Sequence, residues 1–79
     1  MNIQNIYNKL SSLLDQVNDF ADELEEKRDA IEEHAAEKDR DMTDKEAERY
    51  DEIDDRLYYL REVADHLADA MGEIEIYVE

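Results

Sequence analysis

Apolar residues recur along the first half of the chain at alternating steps of three and four. Ile3, Leu10, Val17, Leu24 and Ile31 occupy the a positions of a heptad, which ends at Lys38. Ile6, Leu13 and Phe20 occupy the d positions, and Lys27 and His34 continue that column. Tyr7, Leu14 and Ala21 widen the stripe at e. Such spacing puts apolar groups on one side of a helix and predicts a single helix over about 3–38. The second half repeats the pattern. Tyr50, Leu57, Ala64, Met71 and Val78 fall at a, and Glu46, Ile53, Leu60, Leu67 and Ile74 at d. This predicts a second helix over about 44–71.

Between them, at 39–43, the pattern breaks. Thr43 and Glu46 form an S/T-x-x-E capping box. The Thr43 hydroxyl can accept from the Glu46 amide while the Glu46 carboxylate accepts from the Thr43 amide. Asp44 adds negative charge to the first turn, where the helix dipole favours it. Asn2 is placed to cap the first helix. So short a link between long helices implies an antiparallel hairpin. Folding about Arg40 pairs positions whose numbers add to roughly 81, bringing Leu24 to Leu57, Phe20 to Leu60 and Val17 to Ala64. The same register sets Lys27 near Asp54 and Asp55. After Gly72, residues 73–79 alternate with period two yet also continue the heptad, so the tail 72–79 reads as helical or extended. The expectation is an all-α, antiparallel two-helix hairpin forming one domain over 1–79. The a/d/e stripe of the first helix is wider than one partner helix covers, which predicts a homodimer closing into a four-helix bundle.

Charge changes the picture more than composition does. Twenty-five Asp and Glu face nine Lys and Arg, a net charge of −16. This repels nucleic acid and anionic membrane and favours basic partners. The six acids Asp15, Asp19, Asp22, Glu26, Asp29 and Glu33 are spaced 4, 3, 4, 3, 4. They make one row on the solvent side, about one per 5.4 Å turn. Like charges at these spacings cost a helix a few tenths of a kcal/mol per pair. The second helix has a matching face that includes Glu48, Asp51, Glu52, Asp55, Glu62, Asp65 and Asp69, interrupted by Tyr58 and Tyr59. A rod presenting carboxylates as a strand presents phosphates would occupy the Lys/Arg groove of a nucleic-acid-binding protein. The residues expected to bind are Asp15, Asp19, Asp22, Glu26, Asp29 and Glu33 on one helix and Asp51, Glu52, Asp55 and Glu62 on the other, with Tyr59 as an aromatic anchor.

Other chemistry finds little footing. There is no Cys, so neither a disulfide nor a thiolate metal site can form. Neither His34 nor His66 lies in the E-x-x-H spacing of di-iron bundles. Asp39, Asp41 and Thr43 alternate as in a calcium loop, but Asp44 and Tyr50 stand where the loop needs Gly and Glu. Ser11 and Ser12 have no partnered His in the pattern. The sequence therefore predicts no enzymatic activity, no cofactor and no metal. No run approaches the ~20 apolar residues of a membrane span. The N-terminus lacks a signal-peptide pattern, so a cytoplasmic protein is expected.

The run Arg40-Asp41-Met42-Thr43-Asp44-Lys45-Glu46, continued by Tyr50-Asp51-Glu52-Ile53, resembles a segment of the N-terminal coiled coil of tailed-phage major capsid proteins. The likeness covers residues 40–60 and departs from the family at Lys45, where the family tends to have Glu. In that family the segment is a built-in assembly scaffold, which implies a second reading: a coiled-coil structural or scaffold module. In size and charge the chain is also similar to small acidic phage anti-defence proteins. That likeness implies an inhibitor acting by nucleic-acid mimicry in the host cell of a phage or mobile element.

Overall fold

The computed structural model describes residues 2–78. It comprises two long helices, α1 (Ile3–Glu37) and α2 (Asp44–Ile74), followed by one 3₁₀ turn, Glu75–Tyr77. The helices fold back on each other as a rod with extents of 56 × 16 × 16 Å.

Each helix end has a local cause. The Asn2 side chain accepts from the Asn5 amide at 2.8 Å and caps α1. At the other end Lys38 is the C-cap. The Asp39 amide donates to the Ala36 carbonyl at 3.0 Å, and the Arg40 amide to the Ala35 carbonyl at 3.2 Å. That pair of bonds is the Schellman stop, and it forces Asp39 into the left-handed region at φ 51°. Three residues later the capping box closes. The Glu46 amide donates to Thr43 Oγ1 at 3.1 Å, and the Thr43 amide to Glu46 Oε1 at 3.0 Å. Arg40 clamps the turn by donating from Nη1 to Glu46 Oε1 at 2.7 Å and to the Asp41 carbonyl at 2.9 Å.

α2 runs straight through Gly72 and ends at Ile74. The chain then tightens into the 3₁₀ turn, and Val78 is extended; the remainder of the expected tail, Glu79, lies outside the described residues. Nothing lies within 4 Å of where a Gly72 side chain would project, so this glycine is a gap on an open helix surface.

The seam of α2 follows its a and d columns, with Ile53, Leu57 and Ala64 buried. The seam of α1 does not follow a and d. It runs along a and e, through Tyr7, Leu10, Leu14, Val17, Ala21, Leu24, Arg28, Ile31 and Ala35, of which Ala21, Leu24 and Ala35 are buried. The d column is displaced to one side. Leu13 and Phe20 are 46% and 51% exposed, and Lys27 and His34 are also exposed. The expectation that Lys27 meets Asp54 is corrected: Arg28, one residue on, makes that contact. The reason is steric and electrostatic together. The e column supplies the small Ala21 and Ala35, which let the helices approach. The d column would have put the bulkier Lys27 and His34 there instead, with polar groups to desolvate. Large buried side chains are few, Leu24, Ile53 and Leu57, each contributing about 1.5–3 kcal/mol. Among the described residues no buried side-chain polar atom lacks a hydrogen-bond partner.

Candidate interaction surfaces

Every residue of the predicted binding rows is exposed: Asp15, Asp19, Asp22, Glu26, Asp29 and Glu33 on α1, and Asp51, Glu52, Asp55, Tyr59 and Glu62 on α2. The seam spacing places both rows on the outer sides of the rod. They are not equally free. Asp22 accepts from Arg61 at 3.2 Å, Asp29 from Arg28 at 3.2 Å and Glu52 from Arg56 at 3.0 Å. Asp15, Asp19, Glu26, Glu33, Asp51, Asp55 and Glu62 make no ion pair among the described residues. The rings of Tyr58 and Tyr59 meet edge to face, with centroids 5.5 Å apart at 78°. They remain 61% and 64% exposed.

The two flanks of the seam differ in kind. On one, Arg28 Nη1 reaches across to Asp54 at 2.8 Å, and its guanidinium lies 5.8 Å from the centre of the Tyr50 ring. Further along, Arg61 bonds Glu25 at 2.9 Å as well as Asp22. These links tie α1 to α2 in the fold-back register, with residue numbers adding to 82 or 83 for Arg28–Asp54 and Asp22–Arg61. Sequence reasoning overlooked both arginines as cross-links. The signal was there: each is a cation at or beside a seam position, opposite acids in that register.

The other flank holds Ile6, Leu13, Phe20, Lys27 and His34 from α1, Arg49, Arg56, Val63 and Ala70 from α2, and Tyr77 from the 3₁₀ turn. None of these ten is acidic, in a chain with 25 acids. Toward the turn this flank has more cations than acids: Lys27, Lys45, Arg49 and Arg56 line an open groove with Glu48, Glu52 and the buried Leu24 and Ile53. Toward mid-length it is apolar, with Leu13, Phe20 and Val63 each more than two-fifths exposed.

Electrostatics shift one carboxyl strongly. Glu46 is held down to about 2 from its ordinary 4.5, first by the Arg40 hydrogen bond and then by the Thr43 amide. Among the described residues no group of three or more His, Asp or Glu side chains could hold a metal ion, and no helix is long and apolar enough to cross a membrane.

Searches of protein-family models, of curated proteins and of solved structures give no match to this chain.

Proposed function

We propose that this hairpin is a small acidic binding protein that occupies the basic groove of a nucleic-acid-binding protein in place of a nucleic-acid strand. It performs no catalytic step, works inside the cell, and acts as a homodimer in a four-helix bundle. One observation carries the reading. A net charge of −16 along a 56 Å rod is one net negative charge per about 3.5 Å. One strand of DNA carries a charge per ~3.4 Å and the duplex one per ~1.7 Å. The hairpin therefore matches a single strand in linear charge and falls to half of a duplex. Its carboxylates are held on helices, so a basic groove meets an already ordered row.

The test is capture and displacement. The immobilised chain is exposed to a lysate of its native host, and bound proteins are challenged with single-stranded oligonucleotide. The expected result is basic, nucleic-acid-binding proteins released by oligonucleotide and by moderate salt, because surface charge attraction is screened over ~10 Å at about 0.1 M. Bound proteins indifferent to both would contradict the reading. Recovery of nothing but further copies of the chain would instead support a coiled-coil assembly module.

A further inference from the structure

We propose that the flank carrying Leu13, Phe20 and Val63 is the surface on which a second copy docks, antiparallel and over the full length of the rod, with the twofold axis at mid-length beside Phe20 and Val63. The inference rests on the homodimer proposed above and specifies its interface. It is independent of the acidic rows.

Charge decides which surface can self-associate. Two chains of −16 repel over most of their area, and the outer rows would set carboxylate against carboxylate. The flank of Ile6, Leu13, Phe20, Val63 and Ala70 is where two copies meet with least of that cost. It also carries the large apolar side chains left exposed at mid-length. Phe20, the 18th of the 35 residues of α1, is 51% exposed, and Val63 across from it is 44% exposed.

Charge also decides direction. Two copies side by side in the same direction would bring Lys27, Arg49 and Arg56 against the same residues of the other copy. The antiparallel arrangement instead sets this basic third opposite the terminal third. There the flank offers Ile6 and Ala70, with the exposed Glu73 one step away on α2. Extent points the same way. A full-length overlap offers at most a face of 56 by 16 Å, about 900 Å², against the ~800 Å² each partner gives to a stable interface. A half-length overlap would fall well short. An isologous contact of this kind stacks α1 on its counterpart, so Phe20 and Val63 each meet themselves near the axis.

The chain has no cysteine, so single cysteines report contacts cleanly. Val63→Cys should oxidise to a covalent dimer in high yield. Leu13→Cys should not. It lies seven residues from Phe20, about 10 Å from the axis at ~1.5 Å per residue, and its counterpart lies as far on the other side. Disulfides need Cα atoms within about 7 Å. Phe20→Glu, with helicity unchanged by circular dichroism, should sediment at 9.4 kDa where the parent sediments at twice that. Cross-linking of a Phe20→Cys and Val63→Cys mixture, with neither variant linking to itself, would show parallel packing and overturn the proposal. A dimer that survives Phe20→Glu would overturn this interface and leave the homodimer standing. A parent chain that sediments as a monomer at high concentration would overturn both.

Discussion

The two flanks of the hairpin start from the same heptad geometry and end in opposite states. One is laced by Arg28–Asp54 and by Arg61 with Asp22 and Glu25, so its flanking side chains are spent within the chain. The other keeps Leu13, Phe20 and Val63 exposed, and Lys27, Lys45 and Arg49 make no ion pair among the described residues. With acids in such excess, unpaired cations on one side are a consequence of placement: Glu48 and Glu52 share their groove, yet only Arg56 pairs there, with Glu52. A chain can therefore close one side of a two-helix seam and leave the other side free for a partner without changing its repeat.

The largest effect should separate core from flank. Leu57 is 6% exposed, and Leu57→Ala should cost about 2–4 kcal/mol, enough to unfold much of so small a domain. Phe20→Ala removes a larger side chain, yet in an isolated hairpin it should cost well under that, since half of the ring is already exposed. Chemical denaturation at two protein concentrations sharpens the contrast. If the flank is covered by a second copy, the cost of Phe20→Ala rises with concentration. Equal, concentration-independent losses from the two variants would erase the distinction between flank and core.

The hairpin was legible in the sequence because its punctuation is local. Thr43 and Glu46 announce a helix start through their spacing alone, and both bonds form. The stop of α1 was harder to see because it uses Asp39 where a glycine would have signalled a left-handed residue. The seam of α1 was misread for a physical reason. Three adjacent apolar columns offer two possible two-column seams, and hydrophobicity alone does not choose between them. The choice lies in small residues and charges: Ala21 and Ala35 in one column, Lys27 and His34 in the other. The acidic rows were legible as exposed, since a row opposite any of these seams faces water. Which of their members are engaged by Arg28, Arg56 and Arg61 depends on side-chain reach that spacing does not encode.

Smaller effects probe the turn that joins the flanks. Thr43→Ala should destabilise by about 1 kcal/mol, read as a lower melting temperature. Glycine is missing where the backbone is left-handed and present where the helix is regular. Asp39→Gly should therefore stabilise by about 0.5–1 kcal/mol, and Gly72→Ala by up to about 1 kcal/mol. Melting temperatures that fall in both variants would refute this account of the two sites.

The smallest effect is one of pH. The carboxyl of Glu46 is depressed to about 2, so its contribution to stability is present above its unfolded value of 4.5 and is lost as pH falls through 2. Protonation of the other acids relieves repulsion over the same range, so Glu46→Gln is the reference. The stability gap between parent and variant should be widest above about pH 5 and close toward about pH 2. A gap constant across that range would show that the Arg40–Glu46 clamp does not form in solution.

The most direct test of the proposed function uses acids that the fold does not need. Asp22 and Asp29 hold arginines, whereas Asp19, Glu26 and Glu33 are exposed and engage none. Reversing Asp19, Glu26 and Glu33 together to Lys should leave helicity and melting temperature close to the parent's. The captured nucleic-acid-binding partner should then bind at least a hundredfold more weakly, measured by titration calorimetry at fixed salt. A folded triple variant that binds that partner as tightly as the parent would contradict the account.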